Sequence, residues 1–317
     1  VESIDSNPQL VKFSDPLITA KGEKRAWVDL TALKTLWFNT GTLCNLTCKN
    51  CYIESSPTND RLAYLTLAEV TEYLDEIKAE RLLTEEIGIT GGEPFMNPDI
   101  MAIISEVLAR GFRLLVLTNA MRPLIKLKER LLDLNDKYRD KLTIRVSVDH
   151  FNPVLHEEER GKKSWQPMLE GLRWLSDNNF KINIAGRTRW GESEQELRLG
   201  FSELFKKTNI KVNAFDALEL VLFPEMDEKA TVPEITASCW KILNVSPDDM
   251  MCASSRMVVK RKGEQRPVVQ ACTLLAYEKE FEMGNTLLEA SRSVQLNHPH
   301  CAKFCVLGGG SCSGKVS

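Results

Sequence analysis

Between residues 35 and 223 the sequence alternates six times between short aliphatic or β-branched runs and longer runs with helical spacing. The strand-like runs are TLWFNTG (35–41), EIGIT (86–90), RLLVLT (113–118), KLTIRVSVD (141–149), FKINIAGR (180–187) and DALELVLF (216–223). Helical spacing fills 65–82, 97–111, 123–139, 164–178 and 193–207. Thr66 and Glu69 stand as a capping box at the head of the first helix, and Gly111 closes the second. Six β/α units in succession predict a parallel sheet covered by helices. No internal repeat accompanies them.

The strands carry a second signal. Thr143, Arg145, Ser147 and Asp149 alternate with Ile144, Val146 and Val148. Lys181, Asn183, Ala185 and Arg187 alternate with Ile182, Ile184 and Gly186, and Glu86, Gly88 and Thr90 with Ile87 and Ile89. Parallel strands buried on both faces read as continuous apolar runs. Here the helices take the apolar face, so the polar face is expected to line a hydrated or ligand-filled cavity. A barrel of only six strands stays incomplete and opens on one side. The expected fold class is therefore α/β, a partial (β/α)6 TIM-like barrel with a cysteine-rich C-terminal extension. Residues 1–34 read as an N-terminal hairpin, turning at Lys21-Gly22, a helical turn and a linker. The barrel occupies 35–224 and the extension 225–317. Within the extension, a hairpin is expected to turn near Gly263, and a short helix over 285–295 to start from a Thr286/Glu289 capping box.

Eight residues, 44–51, hold three of the nine cysteines, Cys44, Cys48 and Cys51; the other six all lie from position 239 onward. The tight group follows the first strand, where β/α barrels place their chemistry. An odd cysteine count in a chain of 43% hydrophobic and 27% charged residues reads as metal ligands in a cytoplasmic protein sooner than as a disulfide framework. No signal-like or membrane-spanning run appears. A formal charge of −3 gives no basic footprint for nucleic acid. A redox-active CxxC pair or a zinc half-site are alternatives, but structural zinc takes four protein ligands. A cubane cluster has four irons, so three thiolates leave one iron open to an external ligand.

Cys44-x3-Cys48-x2-Cys51, followed by Tyr52, resembles the signature of the radical S-adenosylmethionine (SAM) enzymes. GITGGEP, which ends the second strand, resembles that family's glycine-rich turn. The resemblance covers roughly residues 35–224. It implies a [4Fe–4S] cluster on the three thiols, with SAM at the open iron. It implies further that Tyr52 sits near the adenine, and that Gly91, Gly92, Glu93 and Pro94 meet the methionine amino group. Ser147 and Asp149 would reach the ribose or methionine part, and Val221 in the sixth strand would touch the adenine. Arg187 would fork onto the methionine carboxylate. Ser147 and Asp149 also read as turn or cap residues, and Arg187 as a surface ion pair.

Cys252-x19-Cys272, Cys301-x3-Cys305 and Cys312, with Gly284-Asn285 between, resemble the SPASM or shorter twitch extensions of the same superfamily. A full SPASM extension has seven cysteines and two clusters; six here imply one auxiliary cluster, of the [4Fe–4S] type. The implied ligands are Cys252, Cys272, Cys301 and Cys305, with Cys312 in reserve. Cys239, beside Trp240, reads as a core thiol. A zinc site is the competing reading, because His298 and His300 flank Cys301 and Cys305. The run GGGSCSG (308–314) lacks the lysine-hydroxyl ending of a phosphate loop and reads as a tail.

The resemblance thus implies an oxidoreductase or bond-forming enzyme that cleaves SAM reductively to a 5′-deoxyadenosyl radical. That radical takes a hydrogen atom from substrate, and the auxiliary cluster helps complete an oxidation or a C–S or C–C bond. The expected partners are a flavodoxin or ferredoxin electron donor and a small-molecule or short-peptide substrate, since 43 residues before Cys44 are too few for a leader-binding domain. Asp149, His150 and Glu219 are candidate substrate bases. The alternatives are a peptide-modifying maturase, a non-catalytic electron carrier and a zinc-stabilised binding module.

Overall fold

The computed structural model describes residues 11–225 and 231–309. In chain order its strands and helices are β1 (Trp27–Val28), β2 (Thr35–Asn39), α1 (Leu67–Ala79), β3 (Glu86–Thr90), α2 (Ile100–Ala109), β4 (Arg113–Thr118), α3 (Arg122–Ile125), α4 (Lys128–Tyr138), β5 (Leu142–Ser147) and α5 (Pro153–Arg160). There follow α6 (Trp165–Asp177), β6 (Lys181–Thr188), α7 (Glu194–Thr208), β7 (Leu220–Pro224), α8 (Cys239–Leu243), β8 (Ser255–Val259), β9 (Val268–Gln270), β10 (Glu282–Gly284) and β11 (Val294–Gln295).

One nine-stranded sheet runs β10-β9-β8-β2-β3-β4-β5-β6-β7. From β2 to β7 every pairing is parallel, the expected partial barrel. The sheet continues beyond that expectation. β8, from the C-terminal region, lies parallel against β2 with Thr35 opposite Ser255 and Phe38 opposite Val258. β9 and β10 then extend it antiparallel, and β8–β9 is the hairpin read around Gly263.

Alternation along the strands sorts the core into two faces. Leu36, Phe38, Ile87, Ile89, Val116, Ile144 and Ile184 join the large cluster under the helices. Trp37, Leu115, Met257 and Val259 form a smaller cluster on the inner face. Each such side chain contributes about 1.5–3 kcal/mol by leaving water. Gly88 makes room for Trp37, since a Cβ there would lie 2.3 Å from the indole.

Several elements depart from expectation. The expected helix over 123–139 is two helices, because the amide of Leu127 bonds to Leu124 O at 2.9 Å, a tighter turn than the α-helical one. The strand expected from 216 begins at Leu220. Residues 285–295 contain one 3₁₀ turn, Glu289–Ser291, in place of a helix. Both capping-box bonds between Thr286 and Glu289 form, yet Val294–Gln295 pairs with β1 and holds the chain extended. Within the expected N-terminal hairpin a single bridge, Ile18 to Lys24, is present, and among the described residues no helical turn precedes β2. Helix α5 was not anticipated. Asn152 caps it, its Oδ1 accepting from the Val154 amide at 2.8 Å, and Pro153 is its first residue. Among the described residues no helix is long and apolar enough to cross a membrane.

Candidate active site: two thiol-lined cavities

Cys44, Cys48 and Cys51 leave the C-terminal end of β2 in a loop pinned on three sides. On the first side it is joined to the turn after β3. Gly92 N donates to Gly41 O at 2.8 Å and Glu93 N to Leu43 O at 3.1 Å. A Cβ on Gly92 would stand 2.3 Å from Leu43 O, and Gly91 has φ +135°. The two glycines are therefore demanded by how closely this turn meets the thiol loop. On the second side Thr42 N donates to Leu62 O at 3.1 Å and Cys44 N to Ser56 O at 3.0 Å.

The third side is the last turn of α5. Lys49 N donates to Glu159 O at 2.8 Å. Asn50 donates twice to the Glu159 carboxylate, from its amide at 2.9 Å and its side chain at 2.7 Å. Both terminal nitrogens of Arg187 reach Asn50 O at 3.3 Å. Arg160 forks onto Asp149 at 2.6 and 3.2 Å, and Arg187 Nε lies 3.3 Å from the same carboxylate. Burial would push Asp149 up, but the guanidinium groups of Arg160 and Arg187 hold it below the usual carboxylate range.

The three thiols line a cavity of about 110 Å³, together with Tyr52, Gly91, Gly92, Ser147 and Arg187. Backbone amides point at two sulfurs, Leu46 N at Cys44 Sγ (3.4 Å) and Ser55 N at Cys51 Sγ (3.3 Å). Burial pushes Cys44 up to about 12 and raises Cys48. Thiols so desolvated ionise when a metal shares their charge, so the donor set suits a metal cluster and suits a free nucleophile poorly.

The other sequence candidates fall outside the cavity lining. Glu93 is buried behind the wall, where Thr118 Oγ1 (2.8 Å), Asn119 N (2.9 Å) and Phe95 N (3.2 Å) donate to its carboxylate. Burial pushes its pKa up to about 7, against those hydrogen bonds. Pro94 opens the 3₁₀ turn beneath it. Asp149 is paired with Arg160 and Arg187, and Val221 pairs with Ala185 at the sheet's end. His150 bonds to Glu192 at 3.0 Å, and the Glu219 carboxylate accepts from Asn213 N at 2.6 Å. Sequence reasoning missed Thr118, Asn119 and Arg160, which line the cavity along with Thr90 from the polar strand face. Asn119 directly follows β4, the position where a barrel presents functional groups; Arg160 comes from the unanticipated α5.

A second cavity, of about 20 Å³, lies in the C-terminal region. Cys252, Cys272, Cys301 and Cys305 all line it, among Met250, Leu274 and His300. Burial pushes Cys252 up to about 11 and Cys301 up to about 12. Burial, and then the neighbouring His300, draws His298 down to about 4. Cys239 stands apart, its sulfur 3.3 Å from Thr236 Oγ1. Cys312 and most of the glycine-rich run lie outside the described residues. Among the described residues no three His, Cys, Asp or Glu side chains meet closely enough to hold a single metal ion.

Residues 38–197 match the family description "Radical SAM superfamily". The chain is 31% identical over 143 residues to the antilisterial bacteriocin subtilosin biosynthesis protein AlbA of Bacillus subtilis, covering 45% of this chain and 30% of AlbA. It is 30% identical over 164 residues to a GTP 3′,8-cyclase of Haemophilus influenzae, covering 50% of this chain and 46% of the cyclase. The match thus spans less than half the length of either relative. In fold the chain resembles Streptococcus suis SuiB bound to its precursor peptide SuiA, with a TM-score of 0.59 and 13% identity over 89% of this chain and 67% of SuiB.

Proposed function

This chain belongs to the radical SAM superfamily, an enzyme family whose cofactors are a [4Fe–4S] cluster and SAM, and from that premise we propose the following division of labour among its residues. Cys44, Cys48 and Cys51 hold the cluster, and the cavity they share with Tyr52, Gly91, Gly92 and Ser147 receives SAM. When bound, the reduced cluster would supply one electron to the sulfonium of SAM, and the resulting cleavage to methionine would provide the 5′-deoxyadenosyl radical that takes a hydrogen atom from substrate. Asn119, whose side chain lies 3.9 Å from Cys44 Sγ and 2.9 Å from Asn45 Oδ1, fixes the start of the loop. Glu159 fixes its end at Asn50. The inner-face cluster around Trp37, Ile53 and Leu62 excludes water from the cavity floor.

Cys252, Cys272, Cys301 and Cys305 hold one auxiliary cluster, and residues 225–317 act as the extension that carries it. The observation behind this reading is that the four thiols singled out by spacing line one cavity. Four protein thiolates leave no open iron, so that site serves electron transfer. It takes up the second electron when an oxidation or a C–S or C–C bond is completed. A flavodoxin or ferredoxin supplies the first electron. The similarity to AlbA, named for bacteriocin biosynthesis, favours a peptide substrate, and the similarity to a GTP cyclase keeps a nucleotide-like small molecule as the second reading.

The test is anaerobic reconstitution followed by reduction with dithionite in the presence of SAM. The expected result is 5′-deoxyadenosine from the intact chain and none from Cys48→Ala. Near-equal rates in the two proteins would overturn the assignment. A reconstituted chain that binds four irons and one zinc would replace the auxiliary cluster with a zinc site.

A further inference from the structure

The charge around the thiol loop is arranged asymmetrically. Arg160, Arg187 and Arg189 converge there with two buried carboxylates, Asp149 at 3% exposure and Glu159 at 1%. A third carboxylate, Glu225, lies 3.8 Å from Arg189 and is 42% exposed, so water screens it. Lys49 pairs with Glu158 at the surface. Arg160 and Arg187 both line the thiol cavity and both touch Asp149, and of the two Arg160 is the one held by a two-nitrogen fork. Asp149 grips it through two nitrogens, and its side chain is 13% exposed. A fork of this kind fixes a guanidinium in orientation as well as charge.

We propose that Arg160, held by Asp149, is a positioning cation that sets the reduction potential of the cluster on Cys44, Cys48 and Cys51. The inference rests on the reading of those thiols as cluster ligands. A cluster gains one negative charge on reduction. A fixed positive charge in its low-dielectric wall stabilises the reduced state and raises the potential. A carboxylate in the same wall acts with the opposite sign. Asp149 therefore both orients Arg160 and tempers its effect. Glu159, one residue away, has a separate task, holding Asn50 and hence the spacing between Cys48 and Cys51.

The opposite signs give the test. The full chain is reconstituted anaerobically without SAM, and the midpoint potential is followed by the paramagnetic signal that is lost in Cys48→Ala. In Arg160→Gln the potential is expected to fall, in Arg160→Lys to stay near that of the parent protein, and in Asp149→Asn to rise. Altered packing alone gives no reason for the two neutralising changes to move the potential in opposite directions. Unchanged potentials in Arg160→Gln and Asp149→Asn, or shifts of the same sign, would overturn the proposal. Should Arg160→Gln fail to load iron, Asp149→Asn alone decides: a rise supports the proposal, and no change or a fall defeats it. Parent protein that binds no iron would instead refute the cluster reading itself.

Discussion

The Tyr277 hydroxyl donates to the carbonyl of Ile53 at 2.7 Å, fastening the C-terminal region to the loop two residues past Cys51. Asn59 donates to the same hydroxyl at 3.2 Å, and the Arg61 guanidinium lies 3.6 Å from the Tyr277 ring centre. The two thiol-bearing regions are thus joined through one side chain as well as through the β2–β8 pairing.

Tyr277→Phe keeps the ring and its contact with Arg61 but removes the shorter donor to Ile53 O, leaving it the Asn59 side-chain amide at 3.4 Å. The expected loss is about 1 kcal/mol in denaturant unfolding. A midpoint identical to that of the parent protein would show that water replaces the hydroxyl at no cost.

Cys272→Ala removes one of the four proposed ligands in the C-terminal cavity and touches none of Cys44, Cys48 and Cys51. Iron is expected to drop from about eight to about four per chain, two cubanes to one. Reductive SAM cleavage should persist while coupled product formation fails. Full iron content in the variant would put the second cluster on other residues.

Gly92→Ala places a methyl group 2.3 Å from Leu43 O, so the turn after β3 must separate from the thiol loop. The expected cost is about 1–3 kcal/mol, the range for forcing an extra methyl into a closed contact. SAM affinity by equilibrium dialysis is expected to fall at least tenfold. Unaltered affinity would show that the turn does not shape the cofactor site.

His156 is fully buried, and neither ring nitrogen has a hydrogen-bond partner. Burial first, then the Arg160 charge, draws it down to about 4 from 6.5. Between those values the unfolded chain binds a proton that the native chain refuses. The associated stability is complete above pH 6.5 and is lost as the pH falls towards 4. The shift corresponds to roughly 3 kcal/mol. His156→Leu should flatten stability against pH across that window. Parallel acid losses in both proteins would assign the effect to other groups.

The barrel was legible because its strands alternate so regularly. The thiols and glycines were legible because their spacing is local. What escaped was set by distant partners. Arg160 lies on a short helix whose EEER stretch reads as solvent-facing, although Asn152-Pro153 marks its start. No run of residues near β8 reveals that its neighbour will be β2. Around 285–295 the local signal for a helix is real, since its capping bonds form, but pairing with β1 overrides it. Gly91 and Gly92 were read as cofactor contacts. Their first obligation is steric, to let two loops touch.

The pairing of β2 with β8 also bears on the order in which the molecule can assemble. Thr35 meets Ser255 across roughly two hundred residues of intervening chain. On the ribosome, β2 to β7 emerge long before that partner exists, and the edge of β2 away from β3 waits with its amides and carbonyls bare. A nascent chain of this sequence therefore passes through a stage that is exposed to pairing with other chains and ends only with the synthesis of β8. Its yield on expression should depend on how quickly that stage is crossed.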